Sequence, residues 1–367
     1  MYIRRNKKRV IILLVFLAGI TVVIAGIIRA PSMSGSFDPS FEVGVVSTLA
    51  DEEKTSIYYY DGRGREVCRQ NRLKYAMFGY LEDEAPVHNK HLYAVPQGLQ
   101  KEQDGRILVD LNLKNGSIDE YTIPEKLSGA SSVSYANGKV AVCNNLNGKS
   151  HVGLYDIKTG KTIIHTFDNE KDGCAMEVLL TGNAVICDGG TNGEGKNFLY
   201  ILDAKTLEIK KCIKTKNDPM HFFESDNIVY FAEPQLYEND DRYIGTLDLN
   251  SNEFKEWKIN VENDILSFKP IGDYLVIVDS DAANGVKSNI VTMDKSEKVI
   301  DTITINSAIM QTVYKDNYLY ALGSSEDFKG TVFKILISDS GHLNLEKSFP
   351  VKSQSENIPP SFIFVNK

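Results

Sequence analysis

The chain has 367 residues, of which 42% are hydrophobic and 25% are charged, so it is long enough to bury a large core without metals or disulfides. Its formal net charge of −8 conceals an asymmetry. Residues 1–30 carry six basic side chains and no acid, whereas the rest of the chain carries 35 Lys and Arg against 49 Asp and Glu. An acidic surface of this kind repels phosphates, which argues against a nucleic-acid partner.

The first element in chain order is an uncharged run of nineteen residues, 10–28. As a helix it just spans a hydrocarbon core of about 30 Å. Five basic residues precede it, so the positive-inside rule predicts a cytoplasmic segment 1–9 and an extracellular remainder. A cleaved signal peptide is the alternative, but Ile28, Arg29 and Ala30 make a poor cleavage site. The sequence thus predicts a single-pass protein of the cell membrane, with residues 29–42 as a short tether.

From residue 43 onward, hairpins recur at intervals of about 45 residues. Each has an apolar strand, a polar turn and a second strand, and the first turn residue can accept a hydrogen bond from a backbone N–H two positions on. These leading residues are Asp61, Asn112, Asp156, Asp203, Asp248, Asp294 and Ser338. A second series of tight turns lies between the hairpins, at residues 89, 137–138, 182–183, 226–227, 272–273 and 316–317. Two series in step predict four antiparallel strands per unit, as in a propeller blade.

The hairpin count predicts how the ring closes. There are seven outer hairpins but six inner turns, so the first unit lacks its innermost strand. Residues 361–366 form an apolar segment with no hairpin after it, and we expect it to pair with residues 43–48, which leaves no open edge. The predicted fold class is therefore all-β: a seven-bladed β-propeller over residues 43–367, closed by the C-terminal strand and preceded by one transmembrane helix.

Two of the hairpins carry a family resemblance. LYDIKTGKTIIHTF at residues 154–167 and ILDAKTLEIKKCI at residues 201–213 resemble the repeats of YVTN-type seven-bladed β-propellers, which are related in architecture to WD-repeat propellers. The likeness covers about residues 43–366, without a literal YVTN tetrapeptide. It implies the fold, but members of such families bind or catalyse many different things, so it implies no function.

Equivalent positions in successive blades form rings around the central channel, and one such ring is polar. Counted five positions back from Gly138, Gly182, Asp226, Gly272 and Asp316 in the last five inner turns, the residues are Val133, Glu177, His221, Ser267 and Gln311. A Glu–His pair could act as a general base with its partner or ligate a metal ion, so Glu177, His221 and Gln311 are candidate catalytic residues. The alternative, which we favour, is that a wet channel tolerates polar side chains without any chemistry.

The loops that join the second and third strands of each blade should all emerge on one face, and they are rich in acids. Such a face could attract a cationic partner, although acidic loops are often merely solvated. The candidate binding residues are Asp188, Glu194, Glu233, Asp240, Asp241, Asp279, Asp281, Glu326 and Asp327. The segment 279–285 faintly resembles a calcium loop, with Asp279, Asp281 and Asn284 as candidate metal ligands, but it lacks the distant bidentate Glu.

No catalytic motif stands out, since the chain has neither a G-x-S-x-G elbow, nor a phosphate loop, nor HExxH. The five cysteines form no CxxC pair, and we expect them to be small buried hydrophobic residues. Their spacing indicates no particular disulfide. The sequence favours a membrane-anchored, non-enzymatic binding or scaffold module with a protein, peptide or cell-wall partner and no obligatory cofactor. The alternative is a metal-assisted enzyme of the lactonase or lyase type at the channel mouth, with Ca²⁺ or another divalent cation.

Overall fold

A computed structural model of the chain describes residues 32–34, 36–49, 54–75, 86–96, 105–190, 197–233, 241–281, 287–325, 327–356 and 358–366. The segments predicted to be cytoplasmic (1–9) and transmembrane (10–28) lie outside these ranges. Within the described ranges, no helix has the length and apolar character needed to cross a bilayer.

The described part of the chain is built almost entirely from strands. In chain order these are β1 (Ser32–Ser34), β2 (Val43–Leu49), β3 (Lys54–Tyr60), β4 (Glu66–Leu73), β5 (Val87–His88), β6 (His91–Ala94), β7 (Ile107–Asn112), β8 (Ile118–Thr122), β9 (Ser132–Ala136), β10 (Lys139–Leu146), β11 (Lys149–Asp156), β12 (Thr162–Asp168), β13 (Val178–Leu180), β14 (Ala184–Asp188), β15 (Asn197–Asp203), β16 (Ile209–Thr215), β17 (Met220–Ser225), β18 (Ile228–Glu233), β19 (Arg242–Asp248), β20 (Phe254–Ile259), β21 (Asp264–Ile271), β22 (Tyr274–Ser280), β23 (Ser288–Met293), β24 (Val299–Ile305), β25 (Ala308–Lys315), β26 (Tyr318–Ser324), β27 (Gly330–Ile337), β28 (Leu343–Val351) and β29 (Phe362–Val365). A 3₁₀ turn at Glu125–Leu127 and a short helix, α1 (Asn169–Asp172), lie in connections between blades.

These strands form seven antiparallel sheets, the blades of a propeller. Blade 1 is β29-β2-β3-β4 with β1 on its outer edge, and blades 2 to 7 each use four consecutive strands, from β5–β8 to β25–β28. We letter the strands of a blade a to d from the inside outward. The a strands of successive blades contact one another, as β13 does with β9 and β17. The predicted all-β, seven-bladed fold is therefore confirmed.

The hydrophobic core is divided among the seven spaces between neighbouring blades, and each space holds one cluster of buried side chains. Between blades 4 and 5, for example, Ile186 packs in the same cluster as Phe231. The b strands are buried on both faces, as their continuous apolar sequences predict. Seven clusters in sequence, the last of them joining blade 7 to blade 1, complete a closed ring.

The closure takes place as predicted. β29 pairs with β2 in the register Val43↔Val365 to Val46↔Phe362, so the C-terminal segment is the a strand of blade 1. The Phe364 side chain is fully buried and its ring contacts Phe41 edge to face. Gly44 leaves room for this ring, because a Cβ there would lie 2.1 Å from it.

All seven outer hairpins show the predicted kind of turn bond, with the donor two positions on in five of them, three on at Asp156 and four on at Ser338. Each leading side chain accepts a backbone N–H bond from a residue two to four positions on, at Asp61, Asn112, Asp156, Asp203, Asp248, Asp294 and Ser338. Among the inner turns, Asn137, Gly138, Asp226 and Asn227 have positive φ, as tight hairpin turns require.

Part of the segment predicted to be a tether, 29–42, is joined to blade 1. β1 pairs with β4, with Ser32 opposite Asn71 and Ser34 opposite Arg69. Phe37 then packs its ring against Tyr59. The chain thus enters the ring along the outer edge of blade 1 before its first full strand.

The propeller has two ends, which we name by their connections. At the connection face, b strands join c strands and each blade joins the next. At the turn face lie the inner turns and the outer hairpins described above. All five cysteines are free. Cys68, Cys143 and Cys187 are buried, as expected for small hydrophobes, whereas Cys174 is only partly buried and Cys212 is exposed, so the expectation is wrong for these two.

Candidate functional site

The predicted polar ring lies between the a strands. Glu177, His221, Ser267 and Gln311 are all buried. Glu177 directly precedes β13, and its two carboxylate oxygens accept the backbone N–H groups of His221 and Phe222, each at 2.7 Å. Glu177 therefore contacts the main chain of the next blade and joins blade 4 to blade 5.

Other ring members make the same kind of bond. Gln311 Oε1 accepts the N–H of Ile363 at 2.5 Å, which joins blade 7 to the closing strand. Ser132 Oγ accepts the N–H of Val178 at 3.1 Å, which joins blade 3 to blade 4. The blade 3 member with this role is thus Ser132 and not Val133, one position later. These side chains connect neighbouring a strands, a role that spacing alone does not distinguish from lining a channel.

His221 differs from the other ring members. Its backbone has φ 58, in the left-handed region, at an irregularity between Met220 and Phe223 in the β17–β18 pairing. Burial, together with the positive charge of Lys269, lowers the pKa of His221 to about 4, so the imidazole is neutral at neutral pH. Its Nδ1 is buried and has no hydrogen-bond partner among the described residues.

A buried cation lies beside this histidine. The Lys269 side chain, on β21, is 5% exposed. Its Nζ lies 4.9 Å from the centre of the Phe223 ring and 4.8 Å from that of Tyr314, so it contacts the a strands of blades 5 and 7. Cation–π contacts of this kind stabilise an ammonium group away from water.

Two acids predicted to lie in exposed connection-face loops are buried instead. Asp188 and Asp279 stand at or near the ends of b strands and are 0% and 1% exposed. Asp279 Oδ1 accepts hydrogen bonds from the Asn289 backbone N–H at 3.1 Å and from Asn263 Nδ2 at 2.8 Å. A polar residue at the end of an apolar strand looks like a loop residue in the sequence, but here it anchors the adjacent chain.

Two of the predicted acids of this face, Asp241 and Asp327, are exposed and paired with lysines. Asp241 lies 2.5 Å from Lys258 Nζ, and Asp327 forms an ion pair with Lys329. Asp281 is partly buried. The predicted residues Glu194, Asp240, Asn284 and Glu326 lie outside the described residues, and Glu233 ends β18 with its side chain outside them. The metal site predicted at Asp279, Asp281 and Asn284 stays a prediction, because Asn284 lies outside the described residues. Within the described ranges there is no group of three or more His, Cys, Asp or Glu suited to a metal ion.

The structure brings together two acids that the sequence did not pair. Asp188 Oδ1 accepts the backbone N–H groups of Met176 and Glu177, both at 2.8 Å, whereas its Oδ2 is buried without a hydrogen-bond donor. Asp218, in the connection between β16 and β17, is partly exposed overall, but its Oδ1 is buried without a donor as well. Asp218 has no equivalent in the repeat pattern, so spacing carries no signal for it.

The surroundings of these two carboxyls disfavour negative charge. Burial, and then the charge of Asp218, raises the pKa of Asp188 well above its usual range. Burial likewise raises the pKa of Asp218 to about 7. Burial and the charges of both acids also raise the pKa of the nearby Cys174 thiol. The pair is therefore a place where a positive charge would be stabilised.

A groove of about 510 Å³ opens at the turn face of the same two blades. Its walls are mostly amides and lysines with a small apolar floor: Thr181, Asn183, Ala184, Ile201, Lys210, Lys211, Asn227, Leu249, Asn250 and Asn252. Lys210 is paired with Asp203 at 2.6 Å, and Lys211 Nζ donates to the backbone oxygen of Asn252 at 3.2 Å. A volume of this size is typical of small-ligand pockets, but the Asn and Lys residues of the rim are mostly exposed to solvent.

No protein-family model and no curated protein matches the sequence. Solved structures do match. A protein of unknown function from Desulfotomaculum acetoxidans aligns with a TM-score of 0.57 at 13% identity, over 88% of this chain and 98% of that chain. A chain of the mitotic checkpoint complex aligns with a TM-score of 0.54 at 12% identity, over 75% of this chain and 81% of that chain.

An enzyme is also among the similar structures. An apocarotenoid oxygenase from Synechocystis aligns with a TM-score of 0.51 at 11% identity, over 90% of this chain and 93% of that chain. At such identities the likeness concerns the fold alone. The comparisons accordingly support a seven-bladed β-propeller and do not show the YVTN family, since no family model matches.

Proposed function

We propose that this protein is a membrane-anchored, extracytoplasmic β-propeller of YVTN type that acts as a binding or scaffold module at the cell surface. Its partner is a protein, a peptide or a cell-wall polymer, held at the connection face. The uncharged run 10–28 and the basic residues before it support the anchor. The closed ring supports the scaffold role, because it presents the connections of all seven blades on one rigid end.

The observation that carries the proposal is that side chains of the polar ring bind the backbone of neighbouring blades. Both oxygens of Glu177 accept backbone N–H groups of blade 5, and Gln311 holds the closing strand in the same way. A carboxylate that already accepts two hydrogen bonds from the backbone is poorly placed to take a proton from a substrate. The ring thus supports a structural role for these residues and gives less support to the alternative lactonase or lyase.

The enzyme alternative keeps one supporting observation, which is His221. Its imidazole is neutral, buried and unpartnered at Nδ1 among the described residues, and its backbone adopts a conformation often found at functional sites. A neutral imidazole is also a common metal ligand. Elemental analysis of the purified ectodomain and of its His221→Gln variant tests this alternative. We expect no transition metal whose binding depends on His221. A metal that is present in the wild type and lost in His221→Gln would favour the enzyme.

Capture from intact cells tests the binding role. The ectodomain should retain a specific partner, and charge reversal at the exposed Asp241 and Asp327 should weaken its retention. The matched control reverses two exposed acids of the turn face, Glu253 and Asp273, which are likewise paired with lysines. Equal retention by both variants would contradict the chosen face, and loss of retention only in the control would move the binding surface to the turn face.

Fractionation tests the anchor independently. The full chain should sediment with membranes, and protease added to intact cells should reach the propeller because the positive-inside rule places it outside. A variant lacking residues 1–30 should remain soluble in the cytoplasm. A full chain that is protected from external protease, or that stays in the soluble fraction, would contradict the proposed location.

A further inference from the structure

Two carboxylates from neighbouring blades approach each other at the connection face, and each has an oxygen without a donor. Asp188 ends β14 of blade 4 and is fully buried. The two backbone N–H groups that hold its Oδ1 fix the carboxylate, so Oδ2 is held in place as well. Asp218 lies just before β17 of blade 5, and its unpartnered Oδ1 is likewise removed from water. Asp218 Oδ2 lies against Gly190, two residues after Asp188, so the Asp218 carboxylate stands beside the segment in which β14 ends.

Such an arrangement is costly unless something positive lies between the carboxylates. A buried carboxylate oxygen without a partner is destabilising, and two like charges in a low-dielectric site destabilise each other. Among the described residues, no Lys, Arg or His forms an ion pair with either acid. The other polar groups nearby are the Cys174 thiol, which accepts a hydrogen bond from Asn145, and the carboxylate of Glu177, which is directed at blade 5.

Glycines make the approach of the two acids possible. A Cβ on Gly190 would lie 2.1 Å from Asp218 Oδ2, so any side chain there would displace this carboxylate. Gly173 has φ +80, and a Cβ on it would lie 2.3 Å from the backbone oxygen of Gly189. The chain is therefore shaped to bring oxygen atoms, both carboxylate and backbone, close together beside the pair.

We propose that Asp188 and Asp218 bind a hard divalent cation of the calcium class between blades 4 and 5, through the two oxygens that have no hydrogen-bond donor. Hard cations of this class take carboxylate and backbone carbonyl oxygens in flexible geometry, which suits ligands from two separate segments. The bound cation joins the connection that enters blade 5 to the b strand of blade 4. This site is distinct from the calcium-like segment 279–285, and it does not depend on the proposed binding function.

Thermal unfolding of the purified ectodomain with added CaCl₂ or chelator tests the site. Because a ligand that binds only the folded state stabilises it, Ca²⁺ should raise the Tm of the wild type by several degrees, and chelator should reverse this. Calorimetric titration with Ca²⁺ should show one site per chain. Asp218→Asn should abolish both responses and still fold, because the new amide can donate a hydrogen bond to Asp188 Oδ2.

Asp241→Asn is the matched control, since it removes an exposed acid of the same face, and its response to Ca²⁺ should equal that of the wild type. Three results would overturn the proposal. One is a Tm that does not respond to Ca²⁺, Mg²⁺ or Mn²⁺. Another is an equal response in wild type and Asp218→Asn. The third is a Tm that rises on acidification but not with any cation, because the pair would then be satisfied by a shared proton.

Discussion

The junction that closes the ring between blades 7 and 1 differs from the junction between blades 4 and 5 in how its buried polar groups are satisfied. At the closure, Gln311 holds the Ile363 N–H, and Glu42 accepts hydrogen bonds from Tyr320 and from Lys334 Nζ, the latter at 2.7 Å. Asn366 completes the closure, because its amide donates to the backbone oxygens at 39 and 41. Each of these groups finds its partner within the chain.

At the blade 4–5 junction a side chain also binds the backbone of the next blade, but other buried polar groups remain without partners. Glu177 spans the two blades as Gln311 spans the closure. Beside it, however, Asp188 Oδ2, Asp218 Oδ1 and His221 Nδ1 are buried without a hydrogen-bond partner among the described residues. Since buried polar groups are nearly always satisfied in folded proteins, the exceptions indicate something that the chain itself does not supply. The two junctions therefore differ in one respect: the named polar groups of the closure are satisfied within the chain, and those three atoms of the blade 4–5 junction are not.

Removing residues 361–367 should have the largest effect. The deletion takes away β29, exposes the backbone edge of β2 and removes the buried Phe364 ring. We expect the cooperative unfolding transition to be lost, and differential scanning calorimetry measures this. A control that lacks only Lys367 should melt like the parent. A sharp transition of the long deletion at the parental Tm would mean that the ring does not depend on its closing strand.

Removing the Glu177 carboxylate should have the next largest effect. Glu177→Ala leaves two buried N–H groups of blade 5 without an acceptor, and we expect a loss of about 3 kcal/mol in the free energy of unfolding. Glu177→Gln keeps one acceptor oxygen and should lose about half as much. Urea denaturation measures both. Loss of stability below about 0.5 kcal/mol in Glu177→Ala would contradict the structural role of this carboxylate.

The Glu42 interaction should make the closure sensitive to pH. Although burial alone would raise it, hydrogen bonds from Lys334 and Tyr320 lower the pKa of Glu42 below its usual 4.5. A lowered folded-state pKa gives stability that is fully present above 4.5 and is lost as the pH falls through the folded value. Because water screens this partly exposed group, we expect Glu42→Gln to cost about 1 kcal/mol at neutral pH.

Urea midpoints at neutral and acidic pH provide the measurement for Glu42. The difference between wild type and Glu42→Gln should shrink as the pH falls below the usual value for a glutamate. The difference should also be smaller when both proteins carry Lys334→Met, since this substitution removes the main partner of the Glu42 carboxylate. A difference that stays constant from neutral to acidic pH would contradict the ion pair.

An outer hairpin should matter least. Asp156 accepts the Thr159 N–H at 2.8 Å on the exposed turn face, so Asp156→Ala should loosen one turn without removing the fold. Hydrogen exchange should accelerate in residues 156–161 alone, and the urea midpoint should move less than in Glu42→Gln. Exchange that accelerates in several blades at once would indicate a larger role for these turns.

The fold was predictable because its determinants are local. Asp61, Asp156 and their equivalents fix each outer turn through bonds within a few residues, and the closing strand follows from counting these turns. The burial of Asp188 and Asp279 was not predictable, because a polar residue that ends an apolar strand has the same sequence pattern whether it faces water or the next connection.

The candidate site depends on contacts between blades, which leave no periodic trace. Asp218 stands in a connection without a repeat equivalent, and only the folded ring brings it to Asp188 from thirty residues away in sequence. The spacing predicted Val133 where the structure uses Ser132. The count began at Gly138, which is the second residue of its turn, and counting from Asn137 leads to Ser132. Spacing identifies a ring of positions, but only the packed structure shows which side chain meets a neighbour.

Hydrogen exchange, measured by mass spectrometry with and without Ca²⁺, compares the two junctions most directly. Ca²⁺ should slow exchange at residues 174–178 and 218–223 and leave residues 43–46 and 362–365 unchanged, since Gln311, Glu42 and Asn366 at the closure already have partners. Without Ca²⁺, the blade 4–5 junction should exchange faster than the closure. Equal protection of both junctions in the absence of Ca²⁺, with no change when it is added, would contradict the claim that one is complete and the other awaits a ligand.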